Sequence, residues 1–99
     1  MMIYELRTYT LSPGGVREYM RIYNEQAREV QTGILGGLVS LMQPESGDLN
    51  QLIFLWAFDS FEERKTRRAK LLADERFTAF RKAVKGLLIR QESQLLSAI

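Results

Sequence analysis

The stretch Asn50 to Arg64, NQLIFLWAFDSFEER, decides how the rest of the chain is read. Its first ten residues have strand character, yet apolar side chains occupy both faces of the alternation. Leu52, Phe54, Trp56 and Phe58 fall on even positions, and Ile53, Leu55 and Ala57 on odd ones. A strand buried on one side alternates apolar with polar, so both faces of this one need cover. The even row begins with an amide, Asn50, which apolar packing alone does not explain. After Asp59, Ser60 and Glu63 form a capping box that opens a helix.

Upstream, Met2 to Thr10 alternates as a strand, with Met2, Tyr4, Leu6 and Thr8 on one face and Ile3, Glu5, Arg7 and Tyr9 on the other. An acid, a base and a phenol make the second set unusual for a face packed under helices. LSPGG follows, where Ser12 suits an N-cap and Pro13 a first helical position. Val16, Tyr19, Met20, Tyr23, Ala27 and Val30 then form a core-facing helical stripe, which Gly33 is expected to stop. Ile34 to Met42 reads as a second strand, with Gly36 and Gly37 marking a bulge or a close backbone approach. QPESGD is a hairpin loop.

Downstream, a basic helix runs from Phe61 to about Ala73, and Asp74 caps a further helical piece with Phe77, Phe80 and Val84 at core spacing. Gly86 breaks that piece, and Leu87 to Leu96 forms a last strand. The order β-α-β-β-α-β predicts an α+β, ferredoxin-like fold over residues 1–99, a four-stranded antiparallel sheet with helices on one face. On this reading the odd face of the third strand meets the helices of its own chain. The even face meets a second copy, dimerising into an α+β barrel.

Cysteine and histidine are both absent, which removes disulfides, thiolate chemistry, the commonest general base and the commonest metal ligand. No metal site and no cofactor motif is expected. Residues 1–59 hold four basic and seven acidic side chains and residues 60–99 hold ten and five, so the halves carry −3 and +5. The start of the chain has no basic segment followed by an apolar run, and no apolar stretch is long enough to span a bilayer. The expectation is a cytoplasmic protein with no membrane span. RKTRRAK lies on a helix behind the sheet, and the basic-Gly-aromatic pattern of an RNA-recognition strand is missing, so nucleic acid is not expected as a partner.

IYELRTYTLSPGG, the run from Asn50 through Trp56 to Asp59–Ser60 and Arg64, Arg67–Arg68 with the following Leu-Ala-Asp, and the closing QESQLL resemble the NIPSNAP family. The resemblance spans nearly the whole chain. It implies a fold similar to the dimeric α+β barrel proteins, whose members include cofactor-independent monooxygenases and isomerases. NIPSNAP proteins themselves share no securely assigned reaction.

The candidate site gathers Glu5, Arg7 and Tyr9 from the first strand with Asn50, Phe54, Trp56 and Phe58 from the third, strands that are neighbours in a ferredoxin-like sheet. Such a surface forms either an aromatic-walled pocket for a small, largely apolar molecule between the sheets, or a dimer interface without a ligand. Asn50, Tyr9 and Trp56 are the catalytic candidates if the chain is an oxygenase or isomerase. Arg64 and Arg68 turn toward the packed side of their helix, while Arg67 and Lys70 point outward. The inward pair serves either to hold an anion or to form an ion pair with Asp59 or Glu5.

Overall fold

The elements follow the expected order, with both helical segments broken in two. The computed structural model describes residues 2–99. Strand Ile3–Leu11 (β1) is followed by helices Gly15–Gln26 (α1) and Arg28–Leu35 (α2), then strands Leu38–Met42 (β2) and Gln51–Phe58 (β3). Helices Phe61–Ala73 (α3) and Glu75–Val84 (α4) and a 3-10 turn Lys85–Leu87 lead into strand Leu88–Ser97 (β4). The sheet is antiparallel in the order β2-β3-β1-β4, the ferredoxin-like arrangement. On the helical layer α1 packs on α4 and α2 on α3.

The two faces of the sheet are the reverse of the expectation. Leu52, Phe54, Trp56 and Phe58 are buried and share one core with Tyr19 and Tyr23 of α1, Leu71 of α3 and Phe80 of α4. Ile53, Leu55 and Ala57 lie on the opposite, partly exposed face. Cross-strand register carries the same split into β1. Glu5 pairs with Trp56, Arg7 with Phe54 and Tyr9 with Leu52 beneath the helices, while Tyr4 pairs with Ala57 and Leu6 with Leu55 outside. The physical reason is bulk. Three aromatic rings, each stabilising by roughly 1.5–3 kcal/mol when fully buried, find enough apolar cover only in the helix layer. The polar set of β1 is tolerated there because its charges are paired.

Several boundaries move for identifiable reasons. Ser12 does not cap a helix with its side chain; α1 starts after Gly14, which adopts a left-handed φ of 79°. The first helix breaks at Ala27 and resumes through Gly33 to end at Gly36, whose φ is 88°. Arg67 points inward rather than outward and donates from Nη1 to the Ile34 carbonyl at 3.0 Å, satisfying the end of α2. Gly37 makes the close approach: a Cβ there would lie 2.3 Å from the Ala57 carbonyl oxygen. The capping box at Ser60 and Glu63 and the Asp74 cap of α4 form as expected.

Candidate functional site

Glu5 anchors the polar part of the helix–sheet interface. It is 0% exposed, yet Arg64 of α3 grips it with Nε–Oε1 and Nη2–Oε2 contacts of 3.0 and 2.9 Å. Arg7 Nη1 donates to Glu5 Oε2 at 2.9 Å, and the Ser93 hydroxyl of β4 donates to the same oxygen at 2.6 Å. Burial pushes this carboxyl up, but the donors from Arg64, Ser93 and Arg7 outweigh it and hold the pKa at about 2. Arg7 is used up in turn, donating Nε to the Tyr9 hydroxyl at 2.9 Å and Nη2 to Gln91 at 3.4 Å.

Beside this cluster a cavity of about 620 Å³ opens between the sheet and α3 and α4. That volume lies within the range of small-molecule sites. Its apolar wall is Leu72, Phe77, Phe80, Val84 and Leu88. Three polar groups on its lining have no hydrogen-bond partner among the described residues. The first is the partly buried guanidinium of Arg68, whose helical neighbours Arg64 and Arg67 are both engaged. The second is the Tyr19 hydroxyl. The third is the amide nitrogen of Gln31, a residue only 5% exposed, whose Oε1 accepts from the Tyr23 hydroxyl at 2.6 Å. Burial lowers the pKa of Arg68, and the neighbouring Arg7 charge adds to the effect. Burial raises the pKa of Tyr19 and of Tyr23 far above the ordinary phenol value, so both keep their protons and act as donors.

Among the residues anticipated from sequence, Arg7, Tyr9 and Arg68 line the cavity. Glu5 and Arg64 stand directly behind Arg7. Phe54 packs edge-on against Tyr9, with ring centroids 5.4 Å apart, and stacks on Trp56 at 6.0 Å. These rings and Phe58 belong to the floor of the core rather than to the lining. The Trp56 indole N–H, fully buried, has no acceptor among the described residues. Asn50 is not brought to the cavity. It ends the hairpin loop, accepting from the Leu11 N–H at 2.7 Å and donating its own N–H to Asp48 at 3.0 Å.

Sequence reasoning missed Tyr19, Gln31 and Gln91 as cavity residues. Tyr19 was hidden inside an apolar stripe, where a phenol reads as packing. Gln31 did carry a signal, falling four residues after Ala27 on the same stripe, where a polar side chain is out of place. Gln91 reaches Arg7 through a β1–β4 register that spacing alone does not give. Among the described residues there is no group of three His, Cys, Asp or Glu side chains able to hold a metal ion. No helix of the described residues is long and apolar enough to cross a membrane.

Fold and cavity together define a ferredoxin-like α+β domain with a pocket between its helices and its sheet. The NIPSNAP family model matches residues 4–99. The chain belongs to the NIPSNAP family. It is similar to a NIPSNAP family protein of unknown function from Agrobacterium tumefaciens, with 35% identity over 96% of this chain and 86% of that one and a TM-score of 0.92. A NIPSNAP-like domain protein from Burkholderia xenovorans shares 32% identity over 99% of this chain and 85% of that one, with a TM-score of 0.95. A candidate antibiotic biosynthesis monooxygenase from Caulobacter crescentus shares the fold at 17% identity, with 99% and 90% coverage and a TM-score of 0.73. No curated protein matches the chain.

Proposed function

We propose that this chain is a homodimeric binding protein for a small, largely apolar molecule, held under the helices of each subunit rather than between the two sheets. The observation that carries this reading is the cavity itself. An apolar wall faces Arg68, Tyr19 and Gln31, three polar groups that the chain leaves without partners. These polar atoms are open to the cavity, where a ligand or water completes their hydrogen bonds. Arg7 and Tyr9 add a fixed polar edge, while Glu5 and Arg64 hold Arg7 in place. The second copy belongs on the other side of the sheet, where Tyr4, Leu6, Ile53, Leu55 and Ala57 form a partly exposed apolar surface.

The fold likeness to a candidate monooxygenase keeps chemistry on the bound molecule as the alternative. Of the catalytic candidates only Tyr9 borders the cavity, with its hydroxyl accepting from Arg7. Tyr19 and Tyr23 hold their protons too firmly to serve as bases. Binding therefore ranks ahead of catalysis. Native mass spectrometry of protein purified from its own host is the test. A small molecule retained by the wild type and lost on Phe80→Trp, which fills the cavity, is the expected result. A wild-type mass equal to the bare chain, with no small molecule recovered on denaturation, sinks the reading.

A further inference from the structure

The charges around the cavity do not balance. Arg7 and Arg64 both contact Glu5, and the charges of all three act on the nearby Arg68. Three guanidinium groups against one carboxylate leave a partly buried excess of two positive charges. The cavity lining itself includes no acidic side chain, and Arg81, Lys82 and Lys85 make its rim basic as well. Of the three inner arginines, Arg64 is committed to Glu5, and Arg7 is shared among Glu5, Tyr9 and Gln91. Arg68 alone keeps its donors free. A desolvated cation without a counter-charge is unfavourable, and a planar guanidinium fork is matched best by a planar oxyanion.

We infer that the molecule held in this cavity is an organic monoanion, a small carboxylate with an apolar or aromatic body. Its carboxylate is bound by Arg68, and its body lies against Leu72, Phe77 and Phe80. This rests on the cavity being a binding site, and it adds the class of ligand. Among the three inner arginines only one guanidinium fork is unengaged, and its two parallel N–H groups match the two oxygens of a single carboxylate. Tyr19, which keeps its proton, and the Gln31 amide nitrogen supply further donors to an oxyanion.

The test compares naphthalene-2-carboxylate with its neutral isostere naphthalene-2-methanol by titration calorimetry and by NMR of the Gln31 side-chain amide. The expected result is carboxylate binding tighter by roughly tenfold or more, as a charge-assisted contact implies, with the Gln31 amide resonance shifting. Arg68→Gln should bring the carboxylate down to the level of the alcohol and leave the alcohol unchanged. Arg17→Gln, which removes an exposed charge outside the cavity, should change neither. Equal affinity of the two probes for the wild type overturns the anion assignment and leaves the binding site standing. Binding of neither overturns both. An equal loss in Arg17→Gln and Arg68→Gln also overturns the assignment, since it reports net charge rather than a contact. The wild-type comparison decides the matter even if a variant fails to fold.

Discussion

Glu5 is ionised in a place from which water is excluded, and its four hydrogen bonds to Arg64, Arg7 and Ser93 are the reason. With a folded pKa of about 2 against an ordinary 4.5, the unfolded chain takes up this proton before the folded one does. The stabilisation is therefore complete above about pH 4.5 and disappears as pH falls toward 2, amounting to roughly 3 kcal/mol. Urea midpoints measured between pH 6 and pH 3 should fall steeply for the wild type and more gently for Glu5→Gln; equal slopes would refute this role. The ion pair was half legible in the sequence. Glu5 and Arg64 were named as possible partners, but their helix-side placement was not, because an acid in an alternating strand reads as facing away from a core. Helical spacing placed Arg64 and Arg68 together on the packed side, but not which of them Glu5 would engage, and it put Arg67 outward although Arg67 binds the Ile34 carbonyl.

At the scale of elements, caps and turns were the most legible features, because their causes are local. Ser60 accepting from the Glu63 N–H, and Asp74 accepting from Arg76 and Phe77, need only a few neighbouring residues. The faces of β1 and β3 were misassigned because both rows of β3 are apolar, and alternation fixes the sets without saying which one the helices take. Gly33 and Gly36 exchanged roles for a related reason: the stop depends on Arg67, thirty-three residues from the Ile34 carbonyl it binds. Gly37 is where β2 is held to β3, accepting the Ala57 N–H at 2.8 Å. Gly37→Ala would drive a methyl group into the Ala57 backbone and should cost about 3 kcal/mol or more. Thermal unfolding measures this, with Gly33→Ala, which meets open space inside α2 and should stabilise by up to about 1 kcal/mol, as the control. A Gly37→Ala protein as stable as that control would show that the strand can shift at little cost.

For the molecule as a whole, the proposed function divides two roles between the sides of the sheet, a ligand beneath the helices and a second copy on the bare face. Leu55→Glu places a charge at the centre of that bare face, opposite Leu6. Light scattering should report a dimer for the wild type at micromolar concentration and a monomer for the variant, with the cavity still able to bind. A wild-type monomer would remove the second copy. Glu5 has one more consequence, which concerns time rather than energy. Its partners Arg64 and Ser93 lie 59 and 88 residues away along the chain, so the knot cannot close until β4 has docked beside β1 and α3 has settled over both. Closing it after the main barrier would put its energy into unfolding alone, and chevron kinetics test this; slower refolding of Glu5→Gln would place the knot in the barrier. Glu5→Gln should accordingly leave the refolding rate nearly unchanged and speed unfolding, so that the carboxylate acts as a latch on how long the native state lasts.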